Sequence, residues 1–171
     1  MPTRHTSIRR THSRVGTGGH RDRRPRLDLT VQCAVRRSGL PAAERFRKWA
    51  AAALIETASV ALRLVNRAEA LALNATYRHR HYATNVLTFA YPDTRPLSGD
   101  MVLCIPVIRD EARRQGKPLY AHLAHLTVHG MLHLQGFDHD SDSQAELMEG
   151  IETEIVLKLG YADPYAPLAR R

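Results

Sequence analysis

The chain has 171 residues, with 25 Lys and Arg against 17 Asp and Glu, for a formal charge of +8. That length fits one ordinary domain of about 100–200 residues. No apolar run approaches the roughly 18–20 residues of a membrane span, and Cys33 and Cys104 are too few for a disulfide scaffold, so they read as buried free thiols of a reducing cytoplasm.

Residues 1–26 hold eight arginines and a single acid, Asp22, so most of the net charge lies there. The segment contains Gly16, Gly18 and Gly19, few apolar residues and no period of 2 or 3.6. It reads as a basic, disordered extension. No apolar stretch follows Arg9–Arg10, so an export signal is not supported. An RNA-contacting arm and an extension without function both stay open for it. A single catalytic domain is expected over residues 27–171.

Leu27, Leu29, Val31, Cys33 and Val35 alternate with polar or small residues, the period of a half-buried strand. Pro41 suits the first turn of a helix running to about Thr57, with Phe46, Trp49, Ala50, Ala53 and Leu54 inward. Val60, Leu62 and Leu64 mark a second strand. Asn66 with Glu69 signals the start of a short helix to about Asn74. The basic run from Tyr77 to Tyr82 then leads into a third strand, Thr84–Ala90. Tyr91–Gly99 reads as a loop and Met101–Ile105 as a central strand. Pro106 starts a helix ended near Gly116, and residues 119–135 have helical periodicity stopped at Gly136. Ser143 with Glu146 forms the expected capping box of the last helix, whose apolar stripe is Leu147, Ile151, Ile155 and Leu159. The order predicts an α/β (α+β) fold, a small mixed sheet of about four strands with about five helices.

Five of the ten histidines fall between His122 and His139. In His129–His139, HGMLHLQGFDH, His129 and His133 are four apart and share a helix face. Gly136 lets the chain leave the helix and fold back. His139 then reaches the same point. Three imidazoles with an open fourth position are the geometry of a catalytic zinc site. The spacing matches the metzincin motif H-E-x-x-H-x-x-G-x-x-H except that Gly130 stands where the general-base Glu would be. His122 and His125 lie on the same helix face and read as supporting hydrogen-bonding groups or as cleft lining. Asp138 is an ordinary turn carboxylate, a group that orients an imidazole, or a base. In the Tyr77–Tyr82 run, Arg78 and Arg80 offer phosphate recognition and the tyrosines a stacking face. Thr84 and Asn85 lie beside them.

HGMLHLQGFDH, ALNATYRHRHYATNVLTF (Ala72–Phe89), SGDMVLC (Ser98–Cys104) and ETEIVLKLGYADPY together resemble the YbeY-type rRNA maturation endoribonucleases, from about Leu27 to Tyr165. The resemblance implies a single-strand-directed, zinc-dependent endoribonuclease acting in small-subunit rRNA 3′-end processing and ribosome quality control. Its partners would be ribosomal RNA, pre-ribosomal particles and ribosomal proteins. It puts one Zn²⁺ on His129, His133 and His139, and the functionally important arginine at Arg78. Arg80 and Asn85 are further candidates for substrate contact. His81 stands where the family usually has Asp. A zinc ion on three imidazoles supplies hydroxide near neutral pH without a Glu base, which is consistent with Gly130. Two other readings stay open: a metallopeptidase or other zinc hydrolase, and a ribosome-assembly factor with structural zinc. Residues 27–120 sum to +6 and residues 121–171 to −5, so the domain can present a basic face around Arg78 and Arg80.

Overall fold

The computed structural model describes residues 24–166, so most of the basic extension lies outside the described residues. The elements run β1 (Leu27–Cys33), α1 (Ala43–Ala52), β2 (Ala58–Val65), α2 (Arg67–Arg78), β3 (Val86–Tyr91), β4 (Leu97–Cys104), α3 (Ile105–Arg114), α4 (Leu119–Leu134) and α5 (Asp142–Lys158). The expected order and the mixed α/β architecture hold. The sheet order is β1-β2-β4-β3. β1, β2 and β4 are parallel, and β3 is an antiparallel edge strand hairpinned to β4.

β4 shows why Met101–Ile105 reads as a continuous apolar run. Met101 and Leu103 face one core with Phe46, Trp49, Leu62, Leu123, Met131 and Leu132. Val102 and Cys104 face a second with Val65, Ala70, Leu87 and Val107. A central strand covered on both faces has no polar side to alternate. α4 is buried almost all round for the same reason: α1, α3, α5 and the sheet enclose it. Gly99 carries the closest approach within this frame. A Cβ there would lie 2.7 Å from the Phe89 carbonyl oxygen and 2.8 Å from Leu134 Cδ2. Gly99→Ala is therefore expected to destabilise the fold by about 1–3 kcal/mol. Urea unfolding checks this through a lowered midpoint at unchanged slope.

Several boundaries differ from the sequence reading. α1 ends at Ala52, short of Thr57, because Gln135 takes the backbone beyond it. Its Oε1 accepts from Ile55 N–H at 2.7 Å, and its Nε2 donates to the Ala53 carbonyl at 2.8 Å. α2 passes Asn74 and stops at His79, which adopts the left-handed φ of 55°. Asn74 is no helix stop: it is buried, and its Nδ2 donates to the Tyr82 carbonyl at 2.8 Å. So Tyr77 and Arg78 are helical. The expected 91–99 loop shrinks, since β4 begins at Leu97. The last helix is capped by Ser141, whose side chain accepts from Gln144 N–H while Gln144 accepts from Ser141 N–H. Ser143 falls inside α5. Its buried residues are Met148, Glu152 and Val156, with Ile151, Ile155 and Leu159 alongside. Leu147 is exposed, so the expected stripe holds at Ile151, Ile155 and Leu159 and fails at its first residue, where Met148 is buried instead.

Candidate metal centre and cleft

α4 carries His129 and His133 one turn apart, and a Schellman turn brings back the third histidine. Gly136, at φ 92°, donates its N–H to the His133 carbonyl, and Phe137 N–H bonds the Leu132 carbonyl at 3.1 Å. Phe137 packs on the main core, which anchors the turn. Asp138 Oδ1 accepts from His139 N–H at 2.8 Å. That backbone bond, with His133 and His139 nearby, holds the Asp138 carboxyl below its usual range against the opposing effect of desolvation.

One ring nitrogen from each of His129, His133 and His139 lies within 4.8 Å of the others. His129 Nε2 and His133 Nε2 are 3.0 Å apart. Burial, then the neighbouring His129 and His139, lowers the His133 pKa. Neutral imidazoles keep the lone pairs that a metal needs. Zn–N bonds of about 2.0–2.1 Å fit three nitrogens so close. The three residues fit a zinc ion by donor type and spacing.

Glu152 on α5 completes the arrangement, and the sequence reading missed it. It is 1% exposed. His129 Nδ1 donates to its Oε1 at 2.7 Å, His125 Nε2 to its Oε2 at 2.7 Å, and Tyr165 donates its hydroxyl as well. Burial alone would raise the Glu152 pKa. The three hydrogen bonds outweigh it and hold the carboxyl at about 2. The bond to Nδ1 fixes the tautomer of His129 and turns its Nε2 lone pair toward His133. Burial and Glu152 both raise the Tyr165 pKa, so its hydroxyl stays a donor. Glu152→Gln is expected to weaken zinc binding about 10- to 100-fold. Competition with a chromophoric chelator measures this, and unchanged affinity would remove Glu152 from the account.

A parallel network stands beside this one. His122 Nε2 lies 2.9 Å from Glu111 Oε2, and Asn85 Nδ2 donates to the same carboxylate at 3.1 Å. Burial pushes the Glu111 pKa up, but these two bonds bring it below the ordinary value. His122 and His125 thus bond carboxylates and stand outside the three-histidine cluster. Their Nδ1 atoms are buried without a partner.

A cleft of about 530 Å³ gathers Arg78, Asn85, His129, His133, Asp138 and His139. Arg78, on the last turn of α2, is exposed and donates from Nη2 to the Thr88 carbonyl at 3.3 Å. Among the described residues it forms no ion pair. Its charge faces the cleft without a carboxylate partner, which suits an anionic ligand. Arg80 follows the helix stop; its backbone N–H bonds Asn74, and its side chain is not part of the cleft lining.

Gly130 is buried, and a Cβ on it would lie 2.8 Å from Met101 Cε. The position that carries the general base in metzincins is here the packing contact of α4 on β4.

A family model described as endoribonuclease YbeY matches residues 38–160. The chain is 50% identical to endoribonuclease YbeY of Nitrosomonas europaea over 165 residues, covering 96% of this chain and 98% of the relative. That alignment reaches ahead of Leu27. The chain is also 54% identical to endoribonuclease YbeY of Aromatoleum aromaticum over 144 residues, 82% of this chain and 94% of the relative. A solution structure from Thermotoga maritima aligns with 82% of this chain and 99% of its own at 20% identity and a TM-score of 0.48.

Proposed function

The chain belongs to the YbeY endoribonuclease family, and from that membership we propose that it is a zinc-dependent endoribonuclease cutting single-stranded ribosomal RNA. Its work would be 3′-end maturation of the small-subunit rRNA and ribosome quality control, on pre-ribosomal particles and beside ribosomal proteins. The observation that carries the reading is the shared cleft: a free arginine faces the same space as three convergent imidazoles. No helix among the described residues is long and apolar enough to cross a membrane. Cys33 and Cys104 are free thiols, which supports a cytoplasmic setting.

In this reading His129, His133 and His139 hold the zinc, which when bound supplies Lewis acidity toward a phosphoryl oxygen and acidifies water. Glu152 and Tyr165 keep His129 in the ligating tautomer. Arg78 binds the scissile or a neighbouring phosphate and stabilises the charge that grows on it in the transition state. Asn85, held by Glu111, presents a polar edge to the same strand. The peptidase alternative needs a carboxylate base at position 130, where this chain has a glycine packed against Met101. A ribosome-assembly factor with structural zinc would need neither Arg78 nor an open cleft.

The test is a paired assay of the purified protein against unstructured RNA and casein, with and without a chelator. RNA cleavage that stops on chelation and returns with zinc supports the proposal. Casein cleavage, or RNA cleavage indifferent to chelation, refutes it.

A further inference from the structure

β3 divides two cavities. Thr88 lines the histidine cleft, while the next residue, Phe89, lines a separate groove of about 460 Å³ between α2 and the open part of the sheet. The last turn of α2 divides in the same way: Tyr77 lines the groove and Arg78 the cleft. β3 is an edge strand, and Asn85 C=O accepts from Cys104 N–H. The alternation of an antiparallel ladder then turns the Thr88 carbonyl off the free edge, where Arg78 meets it. One ridge, two residues thick, separates the groove from the metal centre, with a cation on its crest.

The groove has the chemistry of a nucleobase site. Tyr77 is 63% exposed and Tyr91 48%. Tyr77 and Phe89 pack edge to face at 5.1 Å, and Leu73 and Val102 floor the space. Its one cation, Arg63, is spent on Glu69 at 2.6 Å. Asp100 accepts from the Tyr91 hydroxyl and keeps further acceptor capacity. Carboxylates repel phosphate, so a strand's backbone belongs on the Arg78 side. Aromatic faces and a carboxylate suit a base, with Asp100 accepting from an exocyclic amino group.

We propose that this groove binds an unpaired base of the RNA substrate, one that flanks the scissile phosphodiester, with the connecting phosphate on Arg78. The proposal rests on the endoribonuclease reading above. It identifies Tyr77, Phe89 and Tyr91 as a stacking platform and Asp100 as a selector for a base that carries an amino group.

The test uses full-length protein and unstructured oligoribonucleotides with 2-aminopurine moved one position at a time along the strand. With zinc chelated, one position is expected to show quenched fluorescence on binding, and the quench to be lost in Tyr77→Ala and in the more distant Tyr91→Ala. With zinc present, both variants are expected to raise KM about tenfold at unchanged kcat. Tyr91→Phe, which keeps the ring, should retain the quench. Cytosine at that position should be preferred over uracil severalfold, and Asp100→Asn should erase the preference. Quenching needs no cleavage. Absence of cleavage with the quench intact therefore refutes only the nuclease reading. No quenched position, or unchanged KM in both tyrosine variants, overturns the groove's role, including where the groove takes a protein partner instead.

Discussion

His129→Ala is expected to abolish zinc stoichiometry and RNA cleavage together. The variant removes the imidazole whose two nitrogens serve the two halves of the centre. Nε2 faces His133 at 3.0 Å, and Nδ1 bonds Glu152 at 2.7 Å. Two remaining histidines make a much weaker site than three. The loss also leaves a buried carboxylate without one of its three donors, and a buried acceptor deprived of its partner costs about 1–3 kcal/mol. Stability should fall as well as metal content. Elemental analysis of the purified variant and its urea midpoint separate the two effects. Wild-type zinc content in this variant would sink the ligand assignment.

Arg78→Ala is expected to lower kcat by about 10²–10³, the usual cost of deleting one donor aimed at developing transition-state charge. Zinc content and fold should be unaffected. Arg78 is exposed, its one bond in the described structure is a long contact to the Thr88 carbonyl, and it touches none of the three histidines. Arg78→Lys should recover only part of the rate, because an ammonium lacks the planar fork that grips two phosphate oxygens. Single-turnover cleavage of an unstructured RNA by zinc-loaded protein is the measurement. Wild-type cleavage by the alanine variant with metal bound would remove Arg78 from the mechanism.

Much of this was legible in the sequence because the motifs are local. The spacing of His129, His133, Gly136 and His139 needs only a helix and a helix stop to become a cluster, and both formed. Arg78 was legible as a phosphate-binding candidate. Its place at the end of a helix was not, because Asn74 looks like a stop until its side chain is seen bonding Tyr82. Glu152 stayed hidden for a related reason. A periodicity count places apolar residues inward, so a carboxylate at the centre of the buried face was passed over and Leu147 was put inside. The signal was there: Met148, Glu152 and Val156 are spaced four apart. Glu111 and Tyr165 had no such signal, since pairing across 11 residues to His122 and across 40 to His125 is a product of packing.

The position of Glu152 along the chain has a consequence for synthesis. All three candidate ligands precede it, yet His129 is held in its ligating tautomer by a carboxylate from a helix that begins at Asp142 and by the hydroxyl of Tyr165 behind that. A growing polypeptide that has emerged only as far as His139 carries all three candidate ligands, on their helix and turn, but lacks the carboxylate that holds His129.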